Sequence, residues 1–413
     1  MKKSVVALAV LGAFTGLASA QSSVTLYGRL DANVGTVDPG SMGKAGSSAK
    51  VGESVTKMSD GGTSGLGASR FGMRGTEDLG DGLKAYFKLE SQVSVDNGAN
   101  GGATQTSTNS MFNREAYVGI GSSTWGDIRL GRLETLSREV NRTINDASDD
   151  NQLTMSEVID TTTPSVTAAY RQNRVFFNNF GTRVDNAISY RSPIFVGVAQ
   201  MIATYSFGES AAAPTGNTNT AFGGTNTLVK GNIASYTGIG FIVTAGPLSA
   251  DMIYEQLNGN GTAGAASKTG TIGANYDLGF AKIYAAYQDG SDVTQAFGAN
   301  SMTVFTGGTG STAGKSSGVD LKASNFGVKA PVGKWTFVAQ YTQSELSGAN
   351  IANSVWGNGG ATNEVNQSKY GMSAAYALSK RTTIYGVMIG RSGDNDEYFN
   401  RKNEYNIGLA HTF

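Results

Sequence analysis

The stretch SVTLYGRLDANVG, residues 23–35, sets a pattern that the rest of the chain repeats. Apolar side chains occupy every second position, at Val24, Leu26, Leu30, Ala32 and Val34. The positions between them carry Thr25, Tyr27, Arg29, Asp31 and Asn33. Because successive side chains of a β-strand point to opposite faces, this alternation predicts a strand with one apolar face and one charged face.

Fifteen further segments follow the same alternation. They are residues 69–77, 83–95, 112–121, 127–133, 184–190, 196–207, 229–244, 248–257, 271–276, 282–289, 319–330, 335–345, 369–377, 382–391 and 403–413. The connections alternate between short turns rich in Gly, Asp, Ser and Pro and long loops rich in Gly, Asn, Ser and Thr. Strands of about ten residues joined in this way are typical of an outer-membrane barrel. An even number of strands puts both chain ends on the short-turn side, and segments 112–121 and 271–276 leave the count open by two.

A soluble all-β protein is the alternative, because soluble antiparallel sheets also alternate. Three features argue against it: the recurrence of the charged face, the uniformly short turns on one side, and aromatic residues near strand ends, as in a membrane girdle. Those aromatic residues are Tyr254, Tyr276, Trp335, Tyr341, Tyr405 and Phe413. We therefore predict an all-β fold, a transmembrane barrel of sixteen antiparallel strands, which is wide enough to hold an aqueous channel.

The first twenty residues have the features of a cleaved secretory signal peptide. Lys2 and Lys3 precede an apolar run over residues 5–17, and Ala18-Ser19-Ala20 provides small residues for cleavage. The run is too short for a membrane-spanning helix, and no later stretch approaches the required length. We expect residues 1–20 to be removed and residues 21–413 to form the barrel.

Residues 134–183 interrupt the alternation with a long, acid-rich connection. It contains Glu134, Glu139, Asp146, Asp149, Asp150, Glu157 and Asp160. A loop of this length inside a compact domain is usually functional. We expect it to fold into the barrel and narrow the passage.

The composition argues against an enzyme and against nucleic-acid binding. Cysteine is absent and the only histidine, His411, lies at the C-terminus, so catalytic Ser-His or Cys-His pairs and N/S-ligand metal sites are not expected. Without Lys2 and Lys3 the 32 basic residues fall to 30 against 32 acidic ones, a net charge of −2. We expect no cofactor, and structural calcium at the acidic loops is left open.

Six motifs occur in order along the chain and together are specific for one family. They are SVTLYG (23–28), SRFGMRGTEDLG (69–80), REAYVG (114–119), GDIRLGR (126–132), RVDNAISYRSP (183–193) and GLAHTF (408–413). The chain resembles the trimeric general-diffusion porins of Gram-negative outer membranes, most closely the β-proteobacterial and neisserial branch. This resemblance implies a homotrimer of sixteen-stranded barrels, each with its third long loop, residues 134–183, folded inward as a constriction.

The resemblance also implies which residues form the constriction. On the wall, the motifs carry it to Arg29, Arg70, Arg114 and Arg183, with Arg74 and Arg132 as additions. Alternation independently places Arg29, Arg70 and Arg74 on the lumen face but does not settle Arg114. The loop lacks the Pro-Glu-Phe-Gly-Gly-like turn of better-known relatives, so its acids are assigned only as a class: Asp149, Asp150, Glu157 and Asp160.

The function implied is passive diffusion of ions and small hydrophilic solutes across the outer membrane, without catalysis. Expected partners are outer-membrane lipid and lipopolysaccharide, and the barrel-assembly machinery, for which the terminal Phe413 resembles the recognition signal. The wall arginines and the family branch favour anions, whereas the loop acids oppose them. A substrate-specific channel and an adhesin or receptor barrel are the alternatives.

Overall fold

The computed structural model describes residues 23–38, 53–99, 111–148, 158–161, 171–174, 182–207, 235–258, 266–293, 320–348, 364–394 and 401–413. For residues 158–161 and 171–174 only the backbone is described. The strands are β1 (Ser23–Asp38), β2 (Val55–Asp60), β3 (Arg70–Gly80), β4 (Leu83–Gln92), β5 (Glu115–Ser122), β6 (Gly126–Glu134), β7 (Val158–Thr161), β8 (Arg171–Arg174), β9 (Arg183–Arg191), β10 (Ala199–Ser206), β11 (Ser235–Ala245), β12 (Leu248–Asn258), β13 (Ser267–Asp277), β14 (Lys282–Ser291), β15 (Asp320–Val332), β16 (Trp335–Ser347), β17 (Glu364–Ala377), β18 (Thr382–Gly393) and β19 (Asn403–Thr412).

Sixteen of these strands form a closed antiparallel ring, which confirms the predicted barrel. The order is β1, β3, β4, β5, β6, β9 and then β10 to β19 in sequence, with β19 returning to β1. Each of the sixteen alternating segments corresponds to one strand of the ring. Segment 271–276 extends to Ser267–Asp277, and segment 112–121 starts only at Glu115.

The ring closes where its first and last strands meet. Arg29 of β1 lies opposite Thr412 of β19, and the backbone groups of Gly28 and Phe413 exchange two hydrogen bonds of 3.1 Å. The first strand begins and the last strand ends on the short-turn side, as the even strand number requires. The turn from β3 to β4 shows the expected chemistry, since Asp81 and Gly82 both have positive φ, as a tight hairpin turn demands.

The two faces of the barrel differ as the alternation predicts. Large apolar side chains such as Val24, Leu26 and Ile272 point outward and are exposed in the isolated chain. Aromatic rings gather on the outer face near the short turns, where Trp335 lies 4.9 Å from Tyr376 between ring centroids. The inner face carries the polar and charged residues, many of them buried.

Two connections have local structure that the sequence did not predict. The connection after β1 contains β2, which pairs with the second half of β1, and a short helix α1 (Gly61–Ser64). The chain after α1 is held on the inner wall, because the Leu66 N–H donates to Asp31 Oδ2 at 3.1 Å. The Tyr385 hydroxyl donates to the other oxygen of the same carboxylate.

The long loop after β6 turns inward, as expected. It begins with helix α2 (Leu136–Val140), whose N-cap Thr135 accepts from the Arg138 N–H at 3.4 Å, and continues as a π-helical turn, Asn141–Asn145. Leu136, Val140 and Ile144 recur every fourth residue and are buried against the barrel wall. Further along the loop, β7 and β8 pair as a hairpin. Among the residues described, no helix is long and apolar enough to cross a membrane.

Candidate pore constriction

The segment 136–145, hereafter the loop helix, lies along the inner wall and is hydrogen-bonded at both ends. At its start, Leu136 N–H donates to the Tyr236 hydroxyl at 2.8 Å and Ser137 N–H donates to Glu255 Oε1 at 3.0 Å. At its end, the amides of Asn275 and Asn325 donate to the carbonyls of Ile144 and Asn145 at 2.7 and 2.9 Å. These partners belong to β11, β12, β13 and β15, so the loop helix crosses the lumen face of those strands.

Glu134, the last residue of β6, lies among three arginines. Its carboxylate is 3.2 Å from the Arg183 guanidinium, 2.9 Å from that of Arg142 and 3.9 Å from Arg138 Nε. The Glu134 and Arg183 side chains are almost completely buried. Within these four side chains, one carboxylate faces three guanidinium groups, which gives the group a net charge of +2.

Glu139 connects the loop helix to the wall through two more arginines. Its oxygens lie 3.2 Å from Arg129 Nη2 and 2.5 Å from Arg191 Nη2, on β6 and β9. Burial raises the pKa of Glu139, but the two guanidinium groups outweigh burial and hold the pKa below its usual value. Glu139 therefore stays ionised at neutral pH and attaches the loop helix to strands β6 and β9.

Acids on the wall itself bind a third group of basic residues. Arg114 Nε lies 2.5 Å from Glu90 Oε1, and the Tyr27 hydroxyl donates to Glu90 Oε2 at 2.9 Å. Lys88 is paired with Glu115 and lies 3.6 Å from Glu90. Wall acids, and not loop acids alone, thus hold several of the basic side chains in place.

The structure places five of the six arginines named from the sequence on the inner side of the wall. Arg29 pairs with Asp31 at 3.1 Å and lies opposite Arg70 in the β1–β3 register. The Arg74 guanidinium lies 5.3 Å from the centre of the Tyr27 ring. Arg114 precedes β5, so strand alternation does not apply to it, and its bond to Glu90 directs it inward. Their role in a constriction stays a prediction.

Arg132 lies on the outer face and does not join the other arginines. It is opposite Ala116 and is paired at 2.5 Å with Asp185, whose side chain is 67% exposed. The cause is strand alternation, which places Arg132 with Leu130 on the outer face and its neighbours Gly131 and Leu133 on the inner face. The GDIRLGR motif therefore supplies Arg129, and not Arg132, to the lumen.

The loop acids proposed from the sequence are only partly visible. Asp149, Asp150 and Glu157 lie outside the described residues, and for Asp160 only the backbone, in β7, is described. In the described part of the loop root, Glu134 and Glu139 form ion pairs with arginines. Sequence reasoning counted Glu134 and Glu139 among the loop acids but did not select them for the constriction. It passed over Arg129, Arg138, Arg142 and Arg191, although the alternation of β6 already put Arg129 on the lumen face.

The lumen charge cluster consists of the ion-paired residues around the loop root. It contains Lys88, Arg114, Arg129, Arg138, Arg142, Arg183 and Arg191 against Glu90, Glu115, Glu134 and Glu139. Seven basic and four acidic side chains give a net charge of +3 for these described residues. Rings of charged side chains select ions in pores, and the ion preference of this chain stays a prediction. Within the described ranges, no three His, Cys, Asp or Glu residues are grouped to hold a metal ion, so structural calcium stays a prediction.

Comparisons with known proteins agree with this geometry. A family model described as Gram-negative porin matches residues 7–397. An outer membrane porin protein of Bordetella pertussis is 27% identical over 437 residues, covering all of both chains. Outer membrane porin protein 32 of Delftia acidovorans is 33% identical over 287 residues, or 68% of each chain.

The fold is also similar to a solved structure, an anion-selective porin from Comamonas acidovorans. The TM-score is 0.63 at 22% identity, over 95% of this chain and 100% of that chain. The barrel, the inward loop and the family match over nearly the whole length lead to one conclusion: the chain belongs to the family of Gram-negative porins.

Proposed function

We propose that the chain forms a water-filled channel in the outer membrane of a Gram-negative bacterium, through which ions and small hydrophilic solutes diffuse passively. The observation that carries this proposal is the closed sixteen-strand ring with a polar inner face and a loop held inside it. Barrels of sixteen to eighteen strands leave an aqueous lumen, whereas eight strands leave an interior that side chains fill. A loop bound to the inner wall then narrows the lumen without closing the barrel.

Anions are the preferred ions in this proposal. The lumen charge cluster has a net charge of +3, and its acids are each already bonded to lysine or arginine. The net positive charge creates a positive local potential, which attracts anions and repels cations. The anion-selective porin of Comamonas acidovorans has a similar fold, so this architecture is compatible with the proposed preference.

Recording in planar lipid bilayers tests the channel proposal. We expect stepwise conductance increases when purified protein is added, and a reversal potential of anion-selective sign in a KCl gradient. No conductance would refute the channel and would favour the adhesin or receptor barrel. Saturation or block of the current by one solute class would indicate a substrate-specific channel instead.

Three further expectations complete the proposal. The family resemblance supports a homotrimer, which would conduct in groups of three equal steps. It also supports export with removal of residues 1–20, so mass spectrometry of outer-membrane protein should find Gln21 as the first residue. Insertion by the barrel-assembly machinery and contact with lipopolysaccharide follow from the same resemblance, and the channel is expected to act without catalysis.

A further inference from the structure

A tyrosine and a glutamate on the wall meet the first turn of the loop helix in a fully enclosed site. Tyr236 of β11 is 0% exposed and Glu255 of β12 is 1% exposed. Their side chains are joined directly, since the Tyr236 hydroxyl donates to Glu255 Oε1 at 2.5 Å. Neither residue belongs to the lumen charge cluster, and no basic side chain is bonded to Glu255 among the described contacts.

The pair binds the backbone groups that a helix leaves without partners. The first N–H groups of any helix have no acceptor within the helix. Here Leu136 N–H reaches the Tyr236 hydroxyl and Ser137 N–H reaches Glu255 Oε1. Tyr236 and Glu255 therefore act as a cap supplied by the wall, more than a hundred residues away in sequence.

The loop helix depends on this cap because it is too short to be stable alone. Helix α2 has five residues, and isolated helices below about 12 residues are marginal in water. The same helical segment carries Arg138, Glu139 and Arg142, three of the eleven residues of the lumen charge cluster. The position of these three charges is therefore set by where the first turn is attached.

We propose that Tyr236 and Glu255 are positioning residues for ion selection. They hold the root of the loop helix on the wall and so fix Arg138, Glu139 and Arg142 beside the passage, without touching the permeating ion. This inference rests on the proposed channel function. Hydrogen bonding by Glu255, and not its charge, is the property that matters, because its two nearest donors are an N–H and a phenol.

Tyr236→Phe and Glu255→Ala test the proposal, with Glu255→Gln as the conservative variant. A buried N–H group without an acceptor destabilises the docked state. This destabilisation should raise the population of undocked loop helix by about five- to a hundredfold. The rate of trypsin cleavage after Arg138 and Arg142 in the folded protein is proportional to this undocked population when the helix redocks faster than trypsin cleaves it. We expect cleavage to accelerate within that range for Tyr236→Phe and Glu255→Ala, and to stay within about threefold of wild type for Glu255→Gln, whose amide oxygen still accepts.

Tyr254→Phe is the matched control, because it removes another hydrogen-bonded phenol of the wall, on the exposed outer face of β12 and away from the lumen. It should leave cleavage and the anion-to-cation permeability ratio unchanged. Tyr236→Phe should instead move that ratio towards the value for the ions in free solution, with the barrel still resistant to heat in detergent.

Equal cleavage of Tyr236→Phe and wild type, or equal effects of Tyr236→Phe and Tyr254→Phe, would overturn the positioning role. So would faster cleavage with no change in the permeability ratio. If wild-type protein conducts no current, the channel proposal fails, whereas the cleavage comparison still judges the attachment of the helix.

Discussion

Replacing Glu139 by Gln should raise the preference of the channel for anions. The amide keeps the shape of the carboxylate and an oxygen that can accept from Arg129 and Arg191, which now lie 3.2 and 2.5 Å away. Only the negative charge is lost, so the lumen charge cluster changes from +3 to +4. The loop helix loses the ionic part of its attachment to Arg129 and Arg191 but keeps its bonds to the other wall strands, so it should remain docked and the effect on ions in the lumen can be measured.

The size of the effect follows from Coulomb's law. For an ion passing about 7 Å from the side chain, one unit charge in water contributes about 0.6 kcal/mol. Screening over a Debye length of about 10 Å at 0.1 M salt reduces this to about 0.3 kcal/mol. Anions and cations shift in opposite directions, so the permeability ratio should change by about 0.6 kcal/mol, or about threefold.

Reversal potentials in KCl gradients around 0.1 M measure this change, and a repeat near 1 M provides an internal check. At 1 M the Debye length is about 3 Å, so most of the effect should disappear. Asp185→Asn is the matched control. It removes one carboxylate that is also paired with an arginine, Arg132, but on the outer face of the wall.

Asp185→Asn should leave the permeability ratio unchanged at both salt concentrations. An unchanged ratio for Glu139→Gln at 0.1 M would refute the reasoning, because the charge would then lie outside the ion path. An equal shift for both variants would show that Arg132 and Asp185 do not lie on the outer face of the wall.

Three further changes probe other parts of the molecule. Lowering the pH should favour anions, because protonation of Glu139 removes a negative charge from the lumen. The pKa of Glu139 is lowered in the folded protein, so the stabilisation of docking by its ion pairs is complete above the ordinary glutamate pKa of about 4.3. That stabilisation is lost as the pH falls through the lowered pKa. Glu139→Gln should blunt that pH response of the reversal potential. Leu136→Ala empties a site that is 0% exposed and should weaken docking by about 2–5 kcal/mol, seen as faster trypsin cleavage without loss of barrel heat resistance. Phe413→Ala keeps both backbone bonds to Gly28 but removes the ring that packs on it, so less protein should reach the outer membrane while the conductance of assembled channels is unchanged.

The barrel could be predicted from sequence because its strands repeat one simple physical rule. An apolar side chain at every second position faces lipid, and this constraint acts on every strand of the ring. The rule fails where the backbone leaves ideal geometry. Arg114 lies just before β5, and Glu134, which shares parity with the outward Leu130 and Arg132, pairs with Arg183 after the register shift between Gly131 and Leu133.

The loop helix could not be predicted for a different reason. Its apolar positions, Leu136, Val140 and Ile144, span too few turns to distinguish a helix from chance. What stabilises it is distant in sequence: Tyr236, Glu255, Asn275 and Asn325 meet it only after the barrel has closed. A local pattern does not record such partners, so the acids of the loop could be assigned only as a class.

The pairing of β1 with β19 has a consequence for biogenesis. Until the last strand is in place, both β1 and β18 are open edges that offer unpaired backbone groups to other chains. No half of the ring is complete, so the nascent protein has no stable stopping point on the way to the membrane. We therefore expect the unfinished barrel to need shielding at those edges until the C-terminal residues pair, and a version lacking β19 should be cleared by proteases or aggregate.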